Sequence, residues 1–426
     1  MSSKILCIDF GTSSLRAAIS QDGLIRPKPL ELGEAFRSSI DRASIPSAIF
    51  IDKNGSQISF GEEALTKGQR GDASYLFEIS PKKWMTESLP ETLNTEMIKG
   101  SGISRRHLLA GLFAQGFSAI RTATGLSESE LAKLEIRVAH PVWTPNAKKS
   151  LLENLTWITE VGLQLAGITD KTLGPDKLLT AVRNASVRSK TNIHDVEEPV
   201  AAALELFENS ENSREICVVI DVGAGTTDIG IFVSLTPDRP GYRRKFFQAA
   251  PPRSIHMAGD LIDEEVLSLI KSRSKNIRSD VLQDLDRRRR NIKETLFSNA
   301  GKVFEAGIEV SIRDLVAQKR IRQMRNEITL HFESLINEAA SYIRPFVEAS
   351  FFRANTIDII FAGGGGNIRF LHDAIGRFAC LPNGPSIPVV IRSAKTVDQS
   401  LPAAIERLAV AMGGTTPLNY WPVTRT

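Results

Sequence analysis

Cysteine is scarce in this chain. Three occur in 426 residues, Cys7, Cys217 and Cys380, far apart, with no CxxC pair and no histidine cluster beside them. That spacing argues against a disulfide framework and against a zinc site. Cys7 and Cys217 sit inside the apolar runs KILCID and REICVVID, which predicts buried core thiols. An excess of charge of one sign is also missing. The formal net charge of +4 is too small to imply a dedicated nucleic-acid surface. No apolar run reaches membrane-spanning length, and MSSKILCIDF lacks the apolar stretch of a signal peptide. The expected location is therefore cytoplasmic, with neither a membrane nor a specific nucleic acid as partner. The P-loop pattern GxxxxGK[ST] is absent, and the glycine-richest stretch does not read GxGxxG.

What is present is an ordinary globular composition, 42% hydrophobic and 24% charged, on a chain too long for one small core. Two packed lobes are expected. Two segments resemble each other: ILCIDFGTSSLRAA from Ile5 and VVIDVGAGTTDIGIFV from Val218 each read as strand, Asp, small-residue turn and strand. Asp9 and Asp221 are about half the chain apart, as an internal duplication would leave them. Between them lie short strands (IPSAIFIDKNG, ISFGEEA) and a helix N-capped by Ser104, with Leu109, Leu112, Phe113, Phe117 and Ile120 on its apolar face. A strand at Ile136–Ala139 and a second helix follow. Leu261–Phe297 reads as helical and highly charged, Ile328–Val347 as an amphipathic helix with Phe332, Leu335, Ile336, Ala339, Ile343 and Val347 inward, and IDIIFAGGGG as a strand before a helix in NIRFLHDAIGRFA. Alternating strands and helices place the chain in the α/β class.

The two hairpins suit a polyphosphate and its Mg²⁺. Gly11, Thr12 and Ser13, and then Gly223, Ala224, Gly225 and Thr226, would bring backbone N–H groups to phosphate oxygens without side-chain bulk. Asp9 and Asp221, each just before its turn, would act on the metal through water, because Mg²⁺ keeps much of its hydration. Either hairpin alone reads more simply as a tight turn with a capping Asp; two at duplicated positions do not. Gly363, Gly364, Gly365 and Gly366, between a strand and a helix, are entropically costly unless a ligand or another backbone comes close.

The ordered set IDFGTSS, EEPVAAALE, IDVGAGTTD and AGGGG resembles the phosphate, connecting and adenosine motifs of the actin, sugar-kinase and heat-shock chaperone superfamily. SIPSAIFIDKNGSQISFGEEA, RVAHPVWTPNAKKSLLENL and SIHMAGDLIDEEV are similar to segments of DnaK-type (heat-shock-seventy) chaperones. The likeness runs from about residue 4 to 414. It implies an actin-like ATPase fold: two duplicated ribonuclease-H-like lobes, each with an added subdomain, and a nucleotide cleft between them. The corresponding boundaries are 1–212 for lobe I (core 1–36 and 105–212, outer subdomain 37–104), 213–395 for lobe II (core 213–250 and 323–395, outer subdomain 251–322), and 396–426 for a C-terminal helix returning to lobe I and a tail.

By the same resemblance the cofactors are ATP or ADP with Mg²⁺. Asp9 and Asp221 would attend the metal, and Gly11, Thr12, Ser13, Gly223, Ala224 and Gly225 the phosphates. Lys82, Glu198, Asp228 and Thr226 would be catalytic, with Lys82 rather than Lys83 as the family's lysine. Arg290, Lys293, Gly363, Gly364, Gly365 and Asn367 would form the adenosine side. The plain alternatives are that Lys82 is a surface lysine beside Lys83, Glu198 a helix-start Glu before Pro199, and Asp228 a strand-end turn residue.

The chain departs from the family on the adenosine side. Arg290 stands where the family has an adenine-contacting Glu, and Asn367 follows the glycines where the family's stacking Arg would be near. After Gly414 only TTPLNYWPVTRT remains, with no peptide-binding domain. The expected function is slow ATP hydrolysis as a conformational switch for a protein partner that supplies the output domain. The alternatives are a weakly hydrolysing nucleotide-binding scaffold and a filament-forming actin-like protein. A metabolite kinase ranks last, as no sugar-binding signature appears.

Overall fold

A computed structural model describes residues 4–20, 27–33, 42–86, 90–167, 172–185, 192–208, 214–235, 245–274, 277–298, 301–348, 356–392 and 405–417. The protein is of the α/β class with several sheets. It divides into two compact units, Met1–Glu205 with Thr396–Leu418, and Leu206–Lys395 with Asn419–Thr426. The division falls inside a helix rather than after residue 212.

In the first unit the main sheet contains β1 (Ile5–Phe10), β2 (Ser14–Ile19), β3 (Lys28–Pro29), β4 (Glu135–His140) and β5 (Ile193–Glu197), in the spatial order β5-β4-β1-β2-β3. β1 runs parallel to β4, and β4 to β5; β2 is antiparallel to β1 and β3 to β2. All six residues of β1 are buried, which is why ILCIDF reads as a continuous apolar run and not as an alternating one. One sheet face packs on α1 (Arg105–Thr124) and α2 (Pro145–Leu165). Leu109, Leu112, Phe113, Phe117 and Ile120 are all buried there, as their spacing predicts. α1 begins at Ser104, whose backbone N–H donates to His107 Nδ1 at 3.1 Å, and ends at Gly125 with φ +71°. α3 (Glu198–Glu208) follows β5 directly.

A smaller four-stranded sheet orders Thr172–Leu173, Ile58–Phe60, Ile49–Asp52 and Ser74–Glu78. Its edge strand Thr172–Leu173 lies outside the expected 37–104 boundary.

The second unit repeats the main plan. Its sheet contains β6 (Arg214–Val222), β7 (Thr227–Leu235), β8 (Lys245–Ile255), β9 (Ile357–Ala362) and β10 (Ser386–Arg392), in the order β8-β7-β6-β9-β10. β6 is parallel to β9 and β9 to β10, while β7 is antiparallel to β6 and β8 to β7. These five strands match the first sheet's five in order and direction; beyond them, Ser44–Pro46 pairs with β2 in the first sheet and Phe378–Cys380 with β10 in the second.

Leu261–Phe297 is helical, as expected, in three helices, α4 (Gly259–Arg273), α5 (Ser279–Arg287) and α6 (Arg289–Ser298). The backbone leaves the helical region at Ser274 (ψ 122°) and breaks again at Arg288. There the guanidinium reaches Asp284 (2.9 Å) and both carboxylate oxygens of Glu305 (3.3 and 3.1 Å). NIRFLHDAIGRFA holds only the short helix Arg369–His372. Phe378–Cys380 is instead a strand on β10, where antiparallel pairing outweighs the helical pattern. α7 (Lys319–Glu348) buries Phe332, Leu335, Ile336, Ala339 and Ile343. α8 (Ile405–Gly413) packs on β1 and β2 of the first unit, with Leu408, Ala411 and Met412 against Ala18.

The α1–α2 crossing depends on Gly162. A Cβ there would lie 2.5 Å from Phe113 Cβ and 3.2 Å from the Ala110 carbonyl oxygen. Gly to Ala inside an exposed helix normally stabilises by roughly 0.5–1 kcal/mol. At this crossing Gly162→Ala should destabilise by about 1–3 kcal/mol through overpacking. A lower urea midpoint with an unchanged slope is the expected readout.

Candidate functional site

Each central strand delivers one aspartate to its carboxyl end, where ligands gather on open α/β sheets. On β1 this is Asp9, buried and in register with Arg16 of β2. On β6 it is Asp221, buried and in register with Asp228 of β7.

The turn after Asp9 is closed to side chains. A Cβ on Gly11 would stand 2.6 Å from the Ser14 carbonyl oxygen. Ser47, from the IPSAIFIDKNG segment but not singled out by sequence reasoning, fastens this turn. Its hydroxyl donates to the Gly11 carbonyl (2.8 Å) and its backbone N–H to the Ser13 carbonyl (3.0 Å). Thr12 is buried and Ser13 half-buried.

Lys82 and Lys83 separate cleanly. Lys82 is buried, 4% exposed, and its Nζ donates to Glu198 Oε1 in a short contact. Lys83 is partly exposed and forms a looser 3.4 Å ion pair with Glu78. Lys82 is thus no surface lysine. Glu198, 6% exposed, opens α3 just before Pro199, so its carboxylate has both the helix-start position and the lysine. Asp9 stands in the same field. Burial foremost, and then repulsion from Glu198, push its carboxyl up to about 6, while Arg16 and Lys82 pull the other way.

In the second unit the turn Gly223, Ala224 and Gly225 is half-buried and closed by a 2.9 Å bond from the Gly223 N–H to the Thr226 carbonyl. The Thr226 hydroxyl donates to Asp228 Oδ2 at 2.9 Å. The start of α4 seats on this turn, with Gly259 N–H on the Gly223 carbonyl (3.1 Å) and Asp260 N–H on the Ala224 carbonyl (2.7 Å).

The glycine run also belongs here. Gly363 has φ +78°, and a Cβ on it would fall 2.3 Å from Asp221 Oδ1. Gly365 donates its N–H to the Val222 carbonyl (2.9 Å), and His372 Nε2 meets the Gly366 carbonyl at 2.7 Å. The second backbone that four glycines call for is therefore β6 itself. Gly364 and Asn367 are exposed. The four-residue helix that follows is too short to act as an anion site.

Arg290 and Lys293 are both engaged inside the protein. Arg290 lies 3.5 Å from Asp260 Oδ1; Lys293 lies 2.9 Å from Asp263 Oδ1 and donates to the Gly259 carbonyl at 3.1 Å. Burial raises the Asp263 carboxyl pKa against the pull of Lys293.

Among the described residues, no three or more His, Cys, Asp or Glu side chains come together as a direct metal cage, and no helix is long and apolar enough to cross a membrane. Cys7 and Cys217 are buried free thiols. Sequence reasoning also passed over Arg16. Its signal was available, because Arg16 follows Asp9 at the spacing by which Asp228 follows Asp221. In sequence comparison the chain matches no family model and no curated protein.

Removing Lys82 would leave Glu198 buried without its cation, at a cost of about 3–5 kcal/mol. Lys83→Ala, at an exposed pair, should cost well under about 1 kcal/mol. Chemical denaturation of both variants compares them directly. Asp9 has the opposite sign. Its folded-state pKa, about 6, lies above the ordinary 3.8, so the native protein keeps this proton longer and loses stability as pH rises from about 4 to about 6. Asp9→Asn should raise the melting temperature at neutral pH, with the gain shrinking toward about pH 4.

Proposed function

We propose that this chain is a Mg²⁺-dependent ATPase of the actin-like kind, and that its phosphate-binding elements are the two Asp-x-Gly hairpins. One observation carries the reading. Two sheets that share five strands in the same order and direction each place a buried aspartate, followed by a turn whose glycine has a carbonyl close to its Cβ position, at the carboxyl end of the central strand. Two ribonuclease-H-like lobes of common origin would have this form, and α8 on β1 and β2 suits the chaperone-type arrangement.

The residues fit the group such an enzyme needs. Mg²⁺ retains waters, so it asks for nearby carboxylates and not for a cage of direct ligands. Asp9, with Glu198 close by, and Asp221, packed against Gly363, meet that requirement. When bound, the ion neutralises phosphate charge. The protein's own part is positional and electrostatic. The turns offer backbone N–H groups to phosphate oxygens. The Lys82 ammonium, already desolvated, is a donor for charge developing on the transferred phosphoryl group. The Glu198 carboxylate holds that lysine and orients water, and Asp228, which accepts from the Thr226 hydroxyl, orients water on the second hairpin.

A second reading, a weakly hydrolysing scaffold for a partner protein, draws on the ion pairs of Arg290 and Lys293. Side chains committed to Asp260 and Asp263 leave less for a base. Single-turnover hydrolysis separates the two readings. Under either, we place the chain in the cytoplasm with a protein partner for its output.

Calorimetry with ATP and Mg²⁺ should give a 1:1 isotherm, weakened by Asp9→Asn and by Asp221→Asn. No heat and no thermal shift at saturating ATP would end the nucleotide reading. Lys82→Ala, assayed well below its melting temperature, should slow hydrolysis on the order of 10²–10³-fold with little change in affinity, because the contact strengthens in the transition state. Lys83→Ala should hydrolyse like the wild type.

A further inference from the structure

Superposing the two hairpins by register exposes an asymmetry. Asp9 and Asp221 correspond, Gly11 and Gly223 correspond, and Ser14 and Thr226 close the same turn position. Both glycines are held by that residue's carbonyl, 2.6 Å from a Cβ on Gly11 and 3.1 Å from one on Gly223. On the next same-face position stand Arg16 and Asp228, respectively. In the second hairpin the hydroxyl is satisfied, because Thr226 donates to Asp228. In the first hairpin a cation has replaced that carboxylate. Ser14 is 7% exposed, and its Oγ has no hydrogen-bond partner among the described residues.

Folded proteins rarely leave a buried hydroxyl unmatched, and a specific exception calls for a cause. Here the neighbourhood is informative. Ser47 takes the carbonyls of Gly11 and Ser13, so the turn's acceptors are occupied on that side. By strand alternation Ser14 shares its face with Arg16 and Asp9. An unmatched hydroxyl next to a positive charge suits an acceptor of negative charge, which the hydroxyl would bond and the guanidinium would favour.

We infer that Ser14 is a binding residue: its hydroxyl donates to a phosphoryl oxygen of the nucleotide, with the Arg16 charge beside it. The inference deepens the nucleotide reading above and rests on it. It distinguishes the hairpins at one position. Beside Asp9 the first adds a hydroxyl donor and the Arg16 charge; beside Asp221 the second adds a further carboxylate, Asp228.

Ser14→Ala decides the matter, measured by calorimetry with Mg-ATP and by thermal melting without ligand. The Mg-ATP dissociation constant should rise about tenfold, the ordinary consequence of losing one hydrogen bond to a charged group. The ligand-free melting temperature should stay level or rise, because an unmatched buried hydroxyl has been removed. Ser14→Thr keeps the hydroxyl and should bind within about twofold of wild type. If wild type binds Mg-ATP and Ser14→Ala binds it equally well, this inference fails while the nucleotide reading stands. A lowered ligand-free melting temperature with unchanged affinity also overturns it, assigning the hydroxyl a purely internal role. If wild type itself binds no Mg-ATP, both fall together.

Discussion

An aspartate at the end of a strand buried on both faces is the constraint on which this protein turns. β1 and β6 are the central strands of their sheets, β1 buried along its whole length and β6 from Glu215 to Val222. Each nonetheless ends in a carboxylate, and desolvation of a carboxylate is unfavourable. At Asp9 the penalty is visible as a carboxyl pKa displaced upward, offset only in part by Arg16 and Lys82. The surroundings are arranged around that cost. Ser47 ties down the turn after Asp9, Gly363 leaves room beside Asp221, and Lys82 is buried to face Glu198. Such local conflict with stability is what a ligand site, rather than a structural turn, would require.

Much of this was legible in the sequence. The duplicated hairpins, the α/β class and the apolar faces of α1 and α7 follow from period and composition, because single elements decide them. Other features depend on tertiary partners. Lys82 and Lys83 are alike as letters; only the position of Glu198, far along the chain, buries one and leaves the other at the surface. Ser47 carries no sequence signal, since its role comes from the turn it happens to meet. The charged run from Leu261 reads as helical, but its pattern does not mark the interruptions at Ser274 and Arg288. The breaks arise where the backbone turns, and at Arg288 the guanidinium reaches Glu305. After the four glycines, pairing with β10 took Phe378–Cys380 out of the expected helix.

The adenosine side shows how the two levels combine. By sequence, Arg290 is a substitution in an expected base pocket. By structure, it is a partner of Asp260, while Lys293 secures Asp263 and the start of α4. These side chains support the turn Gly223–Gly225 from behind through Gly259 and Asp260. Under the proposed nucleotide reading, the phosphate side would be the better-built half and base discrimination loose.

Backbone hydrogen exchange with and without Mg-ATP tests the central claim most directly, since it reads both hairpins in one experiment. The expected result is slowed exchange at residues 9–16 and 221–228 together, while the helices α1 and α2 are unchanged. Saturating Mg-ATP that leaves both hairpins unaltered, or protects only a surface elsewhere, would contradict a phosphate-binding role for them.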